Sequence, residues 1–265
     1  MRNTVLGKSI IWGAPVLLIL SFVWRVSDNV PRQVLPPTVA EPSFFGTEEI
    51  RSSNIAPFTK WLGVLDRWKR EQSATIGICE KNIDVTCVPQ DWAKLVRELK
   101  GAALETSVQR VNEAINRYPF IESFRNWGGE HWETPFEFIR RGGQCQDYAI
   151  AKFMLLRAIG IANDALRFVV LNDLRGRRDH AVAVAYADGD ILLMDNLLTR
   201  VVSTSLVTWY KPYYSINETY WWRHVMAGDH ISGIGDIARG RIAVGDAPAS
   251  TSGNALNARI SCTRP

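Results

Sequence analysis

Two apolar runs joined by a tight turn constrain this chain more than any other feature. His180-Ala181-Val182-Ala183-Val184-Ala185-Tyr186 reads as a β-strand, Ala187-Asp188-Gly189-Asp190 as a turn, and Ile191-Leu192-Leu193-Met194-Asp195-Asn196 as the return strand. Asp-Gly between apolar runs is a strong hairpin signal, because it suits the backbone of a two-residue loop. Such a loop pairs Ala187 with Asp190, sets Val182 opposite Asp195 and sets His180 opposite Leu197. His180 and Asp195 then become diagonal neighbours on one face, with Cα atoms about 7–8 Å apart, so that imidazole and carboxylate can meet. A slip of one residue would send one of them to the other face. A carboxylate that holds one imidazole nitrogen as a donor leaves the other free to take a proton from a nucleophile.

A candidate nucleophile lies upstream. Cys145 sits in Gly143-Gln144-Cys145-Gln146-Asp147-Tyr148-Ala149-Ile150-Ala151-Lys152-Phe153. Arg140-Arg141-Gly142-Gly143 before it reads as a loop. Tyr148, Ala151, Met154/Leu155 and Ala158 form an apolar stripe at helical spacing, with Gly160 as its stop. A thiol at the start of that helix faces unpaired backbone N–H groups and the positive end of the helix dipole, which favour thiolate. The competing reading is a structural Cys packed as a small hydrophobe. Of the four histidines, His131, His180, His224 and His230, His180 alone opens an apolar strand; His224 and His230 lie near a weakly structured tail. Cysteine, helix, strand His, hairpin and strand Asp in this order point to a cysteine hydrolase with Cys145 as nucleophile, His180 as base and Asp195 as orienting acid.

These motifs resemble those of the bacterial transglutaminase-like cysteine peptidases. The resemblance rests on the Cys145 run, the His180-Ala-Val strand and the Asp195-Asn196 pair. It extends to Phe45-Gly46-Thr47 through Lys60-Trp61, the helix around Val111-Asn112, Asn126-Trp127-Gly128, Thr134-Pro135-Phe136-Glu137-Phe138 and Tyr213-Tyr214-Ser215-Ile216-Asn217-Glu218, covering roughly residues 44 to 224. It implies a papain-like or transglutaminase-like α+β fold, with the nucleophile's helix packed on an antiparallel sheet. It implies acyl transfer through the Cys145-His180-Asp195 triad. By analogy with periplasmic LapG-type proteases, it also implies a protein substrate at the cell envelope, such as an adhesin, and an inner-membrane regulator. Trp127 is a candidate second oxyanion donor beside the Cys145 backbone N–H, or a core aromatic. Asn196 is a candidate support for the Asp195 strand end, or a turn residue.

One departure concerns calcium. LapG-type members carry acids on both sides of the cysteine that bind the ion, whereas here both positions are glutamine, Gln144 and Gln146. Glutamine keeps a carbonyl ligand but loses charge, and calcium affinity falls with ligand charge. Asp147 remains, too little for a site alone. The expectation is no required cofactor, weak or absent calcium dependence and a more readily formed thiolate.

With 265 residues, 46% hydrophobic and 22% charged, the chain is long enough for one sizeable globular domain. A formal charge of +4, without Walker loop, dinucleotide fingerprint or zinc spacing, gives nucleic-acid binding no support. The run Arg175-Gly176-Arg177-Arg178 reads as a solvated loop, or as a rim attracting acidic substrate. Residues 1–29 read as a signal peptide or uncleaved signal anchor: Arg2 and Lys8 precede an apolar stretch from Ile10 to Trp24, and no small-x-small cleavage site follows. Residues 30–43 form a proline-bearing linker, 44–226 the peptidase domain and 227–265 a Gly-, Ala- and Ser-rich disordered tail. Helices are expected around Phe58–Trp68, Trp92–Leu99 and Val108–Tyr118, a strand at Arg167–Leu171, and one or two strands between Val201 and Trp222. Cys79 and Cys87 are placed to close a small disulfide loop in an oxidising compartment. Cys262 in the tail is expected to be unpaired, and Cys145 to stay reduced. Two further functions use the same residues differently: a transglutaminase accepting an amine in place of water, and a non-catalytic membrane-tethered binding module with a relic triad.

Overall fold

A computed structural model describes residues 44–75, 77–80, 87–226, 260 and 262. The N-terminal segment read as a signal, most of the linker and most of the tail lie outside the described residues. Among those described, no helix is long and apolar enough to cross a membrane.

The architecture is α+β. Strand β1 (Thr47–Ser52) precedes helices α1 (Thr59–Ala74), α2 (Gln90–Leu99), α3 (Leu104–Ile115), α4 (Ser123–Trp127), α5 (Pro135–Arg141) and α6 (Cys145–Ala158). Six strands follow: β2 (Leu166–Asp173), β3 (Arg178–Ala187), β4 (Asp190–Met194), β5 (Val202–Ser203), β6 (Tyr210–Ile216) and β7 (Trp221–Met226). They form one antiparallel sheet in the order β1-β7-β6-β2-β3-β4-β5. Helix α6 packs on β2 and β3 and against α3 and α5.

Alternation along the strands feeds two cores. Phe168, Val170, Ala181, Ala183 and Ala185 join the helix-side cluster, with Trp61, Val111, Ile150, Phe153 and Leu155. Val169, Leu171, Val182, Val184, Ile191 and Leu193 form the second cluster with Phe44, Phe45 and Tyr210. The small alanines of β3 face α6, which lets a helix buried from Cys145 to Leu156 lie close to the sheet. That near-continuous burial explains why the stripe read from the sequence understates the helix's apolar surface.

The expected hairpin has the expected register, with Ala187 opposite Asp190 and Ala183 opposite Met194. Strand β4 ends two residues earlier than the sequence suggested. The Leu197 N–H turns back to Asp195 Oδ1 at 2.9 Å, an Asx turn that takes the chain out of the ladder. Two strands, β5 and β6, lie between Val201 and Trp222 as expected, and β7 begins at the end of that range and runs to Met226. The pattern of β6 is obscured by Pro212, which cannot donate to the ladder; the pairing shifts there, from Val170–Tyr214 to Leu171–Pro212.

The loop expected at Arg140-Arg141 is the last turn of α5. Thr134 caps that helix, accepting the Glu137 N–H at 3.3 Å while Glu137 Oε2 accepts the Thr134 N–H at 2.8 Å. Pro135 starts the helix and two arginines face its negative end. Thr-x-x-Glu with an adjacent proline was the signal available in the sequence. In the basic run, Arg175 lies over the Trp209 ring and Arg178 pairs with Asp173, so two of its cations are committed to the turn between β2 and β3.

Two further corrections concern the tail and its cysteine. Ile260 and Cys262 are buried in the helix-side cluster, so the tail is not disordered throughout. Cys262 is not unpaired: it forms a disulfide with Cys145, across 117 residues of sequence, and Cys145 is therefore not reduced in this structure.

Cys79 and Cys87 form the second disulfide, with Cα atoms 5.1 Å apart and a sequence separation of 8. Closing so short a loop restricts the unfolded chain modestly. Replacing both by Ser should lower the unfolding free energy by about 2 kcal/mol, readable as a lower midpoint in urea denaturation with the helix and sheet signals intact.

Candidate active site

The start of α6 is held by a carboxylate. Asp147, at the third helical position, is buried and accepts two backbone N–H groups: Gln144 to Oδ2 at 2.7 Å and Glu133 to Oδ1 at 2.8 Å. The first bond satisfies an N–H at the helix start; the second ties the segment before α5 to the same point. The approach requires two glycines. Gly142 has φ +73° and an added Cβ would lie 2.3 Å from the Pro119 carbonyl oxygen; at Gly143 it would lie 2.7 Å from Asp147 Cβ. Cys145 is thereby presented as the first residue of a fourteen-residue helix.

The second half lies at the end of the β3–β4 hairpin. His180 Nε2 and Asp195 Oδ1 are 2.8 Å apart, and both residues are almost wholly buried, at 1% and 0% exposure. Asp195 Oδ2 accepts the Tyr210 hydroxyl at 2.6 Å. Burial alone would raise the Asp195 pKa, but the imidazole, the Leu197 N–H and the Tyr210 hydroxyl outweigh it and hold this carboxyl below its ordinary value. With Nε2 on the carboxylate, Nδ1 is the nitrogen left for a thiol. Helices reach the same place: Asn116 Nδ2 donates to the Asp195 carbonyl at 2.9 Å. Lys152, on α6 and fully buried, feels the Asp195 charge, though burial dominates and lowers its pKa to about 7.

The structure thus joins His180 to Asp195 directly, and joins Cys145 to Cys262. Among the described residues no hydrogen bond links Cys145 to His180. Trp127 is not free as an oxyanion donor: its Nε1 donates to Glu133 Oε1 at 2.6 Å, and its ring stacks on His131 with centroids 4.0 Å apart. Asn196 contacts neither triad partner by hydrogen bond among the described residues, and its Oδ1 is buried without a partner. His224 belongs to β7, where it bonds Thr47 and Ser215, and burial lowers its pKa to about 3. Tyr210 was missed in the sequence, since it is 15 residues from Asp195 and nothing local marks it.

The residues around Cys145 do not fit a calcium cage. Both Asp147 oxygens take backbone N–H groups, and the Gln146 amide spans Gln144 Oε1 and Asp147 Oδ2, each at 3.4 Å. Glu133 Oε2 is the buried carboxylate oxygen nearby that has no hydrogen-bond partner. A calcium ion takes six to eight oxygens, several of them charged, and the two residues flanking Cys145, Gln144 and Gln146, offer neutral carbonyl oxygens only.

The Glu133–Asp147 pair titrates instead. Burial is the main cause that raises both carboxyls, Glu133 to about 7; the Glu137 charge adds to the rise at Glu133, and the Glu133 charge to the rise at Asp147. A carboxyl whose folded pKa is raised binds more protons folded than unfolded between the two values. Its contribution is fully present below the ordinary carboxylate range and is lost as pH rises toward 7. Glu133→Gln should therefore gain in melting temperature over the wild type as pH increases from 4.5 to 7; a constant difference across that window would contradict this. Tyr210→Phe should weaken the hold on Asp195 without opening a large cavity. Losing a hydrogen bond to a charged group is worth about 1.5–3 kcal/mol, so the unfolding free energy should fall by about that much, readable as a lower midpoint in urea denaturation.

The chain matches the model of the bacterial transglutaminase-like cysteine proteinases (BTLCP) over residues 67–228. Among solved structures, Legionella pneumophila LapG is similar at 27% identity, covering 60% of this chain and 85% of that one, with a TM-score of 0.48. A calcium-bound form of the same protein is similar at 26% identity, covering 62% and 91%, with a TM-score of 0.47. No curated protein matches the chain significantly.

Proposed function

The chain belongs to the bacterial transglutaminase-like cysteine proteinases and is a cysteine peptidase; on that premise we propose that it is a periplasmic endopeptidase using Cys145, His180 and Asp195 to cut a surface or envelope protein, of the adhesin class. The observation that carries the triad assignment is the buried 2.8 Å contact between His180 Nε2 and Asp195, which leaves Nδ1 facing away from the carboxylate. The start of a long helix supplies the setting for the sulfur.

In this reading the reduced Cys145 transfers its proton to His180 Nδ1, and the thiolate attacks the carbonyl carbon of the scissile amide. The oxyanion takes the Cys145 backbone N–H, one of the unpaired donors of the first helical turn. His180 returns the proton to the leaving amine as the C–N bond breaks, giving a thioester. Water, deprotonated by His180, then attacks the thioester and releases the acid and the thiol. Asp195 stays ionised throughout and holds the imidazole in one tautomer. Tyr210 and the Leu197 N–H keep the carboxylate in place.

The periplasmic location is supported by the sequence of the N-terminal segment and by the Cys79–Cys87 disulfide, which belongs in an oxidising compartment. The envelope substrate and an inner-membrane regulator rest on the family resemblance. Two glutamines beside Cys145 support calcium-independent activity.

The test compares envelope proteins from wild-type and Cys145→Ala cells. A polypeptide cleaved in the wild type and intact in the variant identifies the substrate; no difference, together with no cleavage of envelope proteins by the purified, reduced wild type, would sink the peptidase assignment for this compartment. Adding a labelled primary amine to the purified, reduced protein separates hydrolysis from transamidation, since incorporation in preference to cleavage would make it a transglutaminase. Excess EGTA should leave the cleavage rate unchanged, and full inhibition would overturn the calcium argument.

A further inference from the structure

From the Cys145–Cys262 disulfide and the burial of the residues around it, we propose that Cys262 is a covalent, redox-controlled latch on the nucleophile. The proposal rests on Cys145 being the nucleophile.

Several observations carry it together. The sulfur of Cys145 is bonded to Cys262, with Cα atoms 5.8 Å apart, so it cannot attack a carbonyl in this state. Ile260 and Cys262 are each 5% exposed and pack into the same apolar cluster as Cys145. Gln146 Oε1 lies 3.1 Å from Cys262 Sγ, and its Nε2 reaches Gln144 and Asp147. The polar neighbours on either side of Cys145 are neutral amides, and one of them, Gln146, lies against the Cys262 sulfur. Carboxylates at the same two positions would repel a second thiolate approaching Cys145, and thiol–disulfide exchange requires that approach. The substitution of glutamine at both positions and the cysteine in the tail therefore serve one arrangement. The second disulfide, Cys79–Cys87, shares no residue with this one, so the latch can open while the other bond stays closed.

The chemistry balances with a dithiol. One thiolate of the reductant attacks Cys262 Sγ, the Cys145–Cys262 bond breaks, and Cys145 leaves as thiolate at the helix N-terminus, where backbone N–H groups stabilise it. The reductant's second thiolate then attacks its own sulfur in the mixed disulfide and expels Cys262. The reductant ends as a cyclic disulfide, having given two electrons; the two protons complete the Cys145 and Cys262 thiols when these are protonated. Closure is the reverse, with a disulfide oxidant accepting two electrons from the two thiols. Release uncovers both the sulfur and the apolar surface that Ile260 occupied. The enzyme is thereby silent under oxidising conditions and active where a dithiol reductant reaches it.

The experiment uses the full chain made in an oxidising compartment and purified without reductant. Peptide mass mapping under non-reducing conditions should find the Cys145 and Cys262 peptides linked, and iodoacetamide should leave Cys145 unlabelled. After dithiothreitol treatment and its removal, iodoacetamide should label Cys145 completely, on the order of tenfold faster than glutathione at pH 7. Oxidised dithiothreitol should restore the block. Cys262→Ser should be labelled at Cys145 without any reductant. Its circular dichroism should match the wild type, and the reversible block in the wild type keeps the test decisive if that variant folds poorly. Labelling of Cys145 in the untreated wild type, with no linked peptide, would overturn the latch and leave the peptidase assignment intact. Linked peptides followed by a reduced Cys145 no faster than glutathione would overturn it as control of a nucleophile, because the bond would then guard an unreactive thiol.

Discussion

A single buried carboxylate organises the catalytic side of this protein. Asp195 lies just beyond β4 and accepts hydrogen bonds from His180 on β3, Leu197 in its own turn and Tyr210 on β6, while its backbone carbonyl accepts Asn116 after α3. An isolated carboxylate with no solvent exposure would be costly to keep charged. Three donors from three places offset that cost, and each is thereby fixed relative to the others. The histidine's tautomer, the end of the hairpin, the side chain of Tyr210 and the contact to the helical layer follow from where this charge can be accommodated.

Asp147 does the corresponding work at the start of α6. Its two oxygens collect backbone N–H groups from Gln144 and Glu133, which sets where Cys145 emerges. The two acids differ in what surrounds them. Asp195 faces a histidine and donors, and is held ionised. Asp147 faces Glu133, and burial with this second carboxyl pushes the pair toward protonation. One acid is therefore held charged and the other is pushed toward its neutral form, although both are buried beside proposed catalytic residues. Lys152 adds a third buried titratable group, with its Nζ unpaired and lowered by burial to about 7, between the helix of Cys145 and the carboxylate of the hairpin.

The contrast between the two disulfides is one of range. Cys79–Cys87 closes a short loop and is a matter of chain stiffness. Cys145–Cys262 draws the end of the chain onto the start of α6 and occupies the sulfur on which the peptidase reading depends. Ile260 and Cys262 both belong to the apolar cluster that contains Cys145. Of the glutamine pair beside Cys145, which looked from the sequence like the loss of a calcium site, Gln146 lies against Cys262 in the folded molecule and reaches Gln144.

The hairpin was legible because its information is local: an Asp-Gly loop and alternating side chains determine which residues of two adjacent strands face each other, and His180 met Asp195 as that register requires. The helix of Cys145 was legible for the same reason, from periodicity and its glycine flanks, as were α1, α2 and α3. Helix α5 escaped notice although Thr134, Pro135 and Glu137 spelled out its start, because the arginines and glycines after it looked like one continuous loop. The strands between Val201 and Trp222 were expected without bounds, and Pro212, which lacks a donor, interrupts the pattern of β6. The tertiary structure alone decided the partners separated along the chain: Tyr210 for Asp195, Glu133 for Trp127 and Asp147, and Cys262 for Cys145. Those contacts arise when strands are ordered in a sheet and helices are laid across it, and no spacing within a single element encodes them.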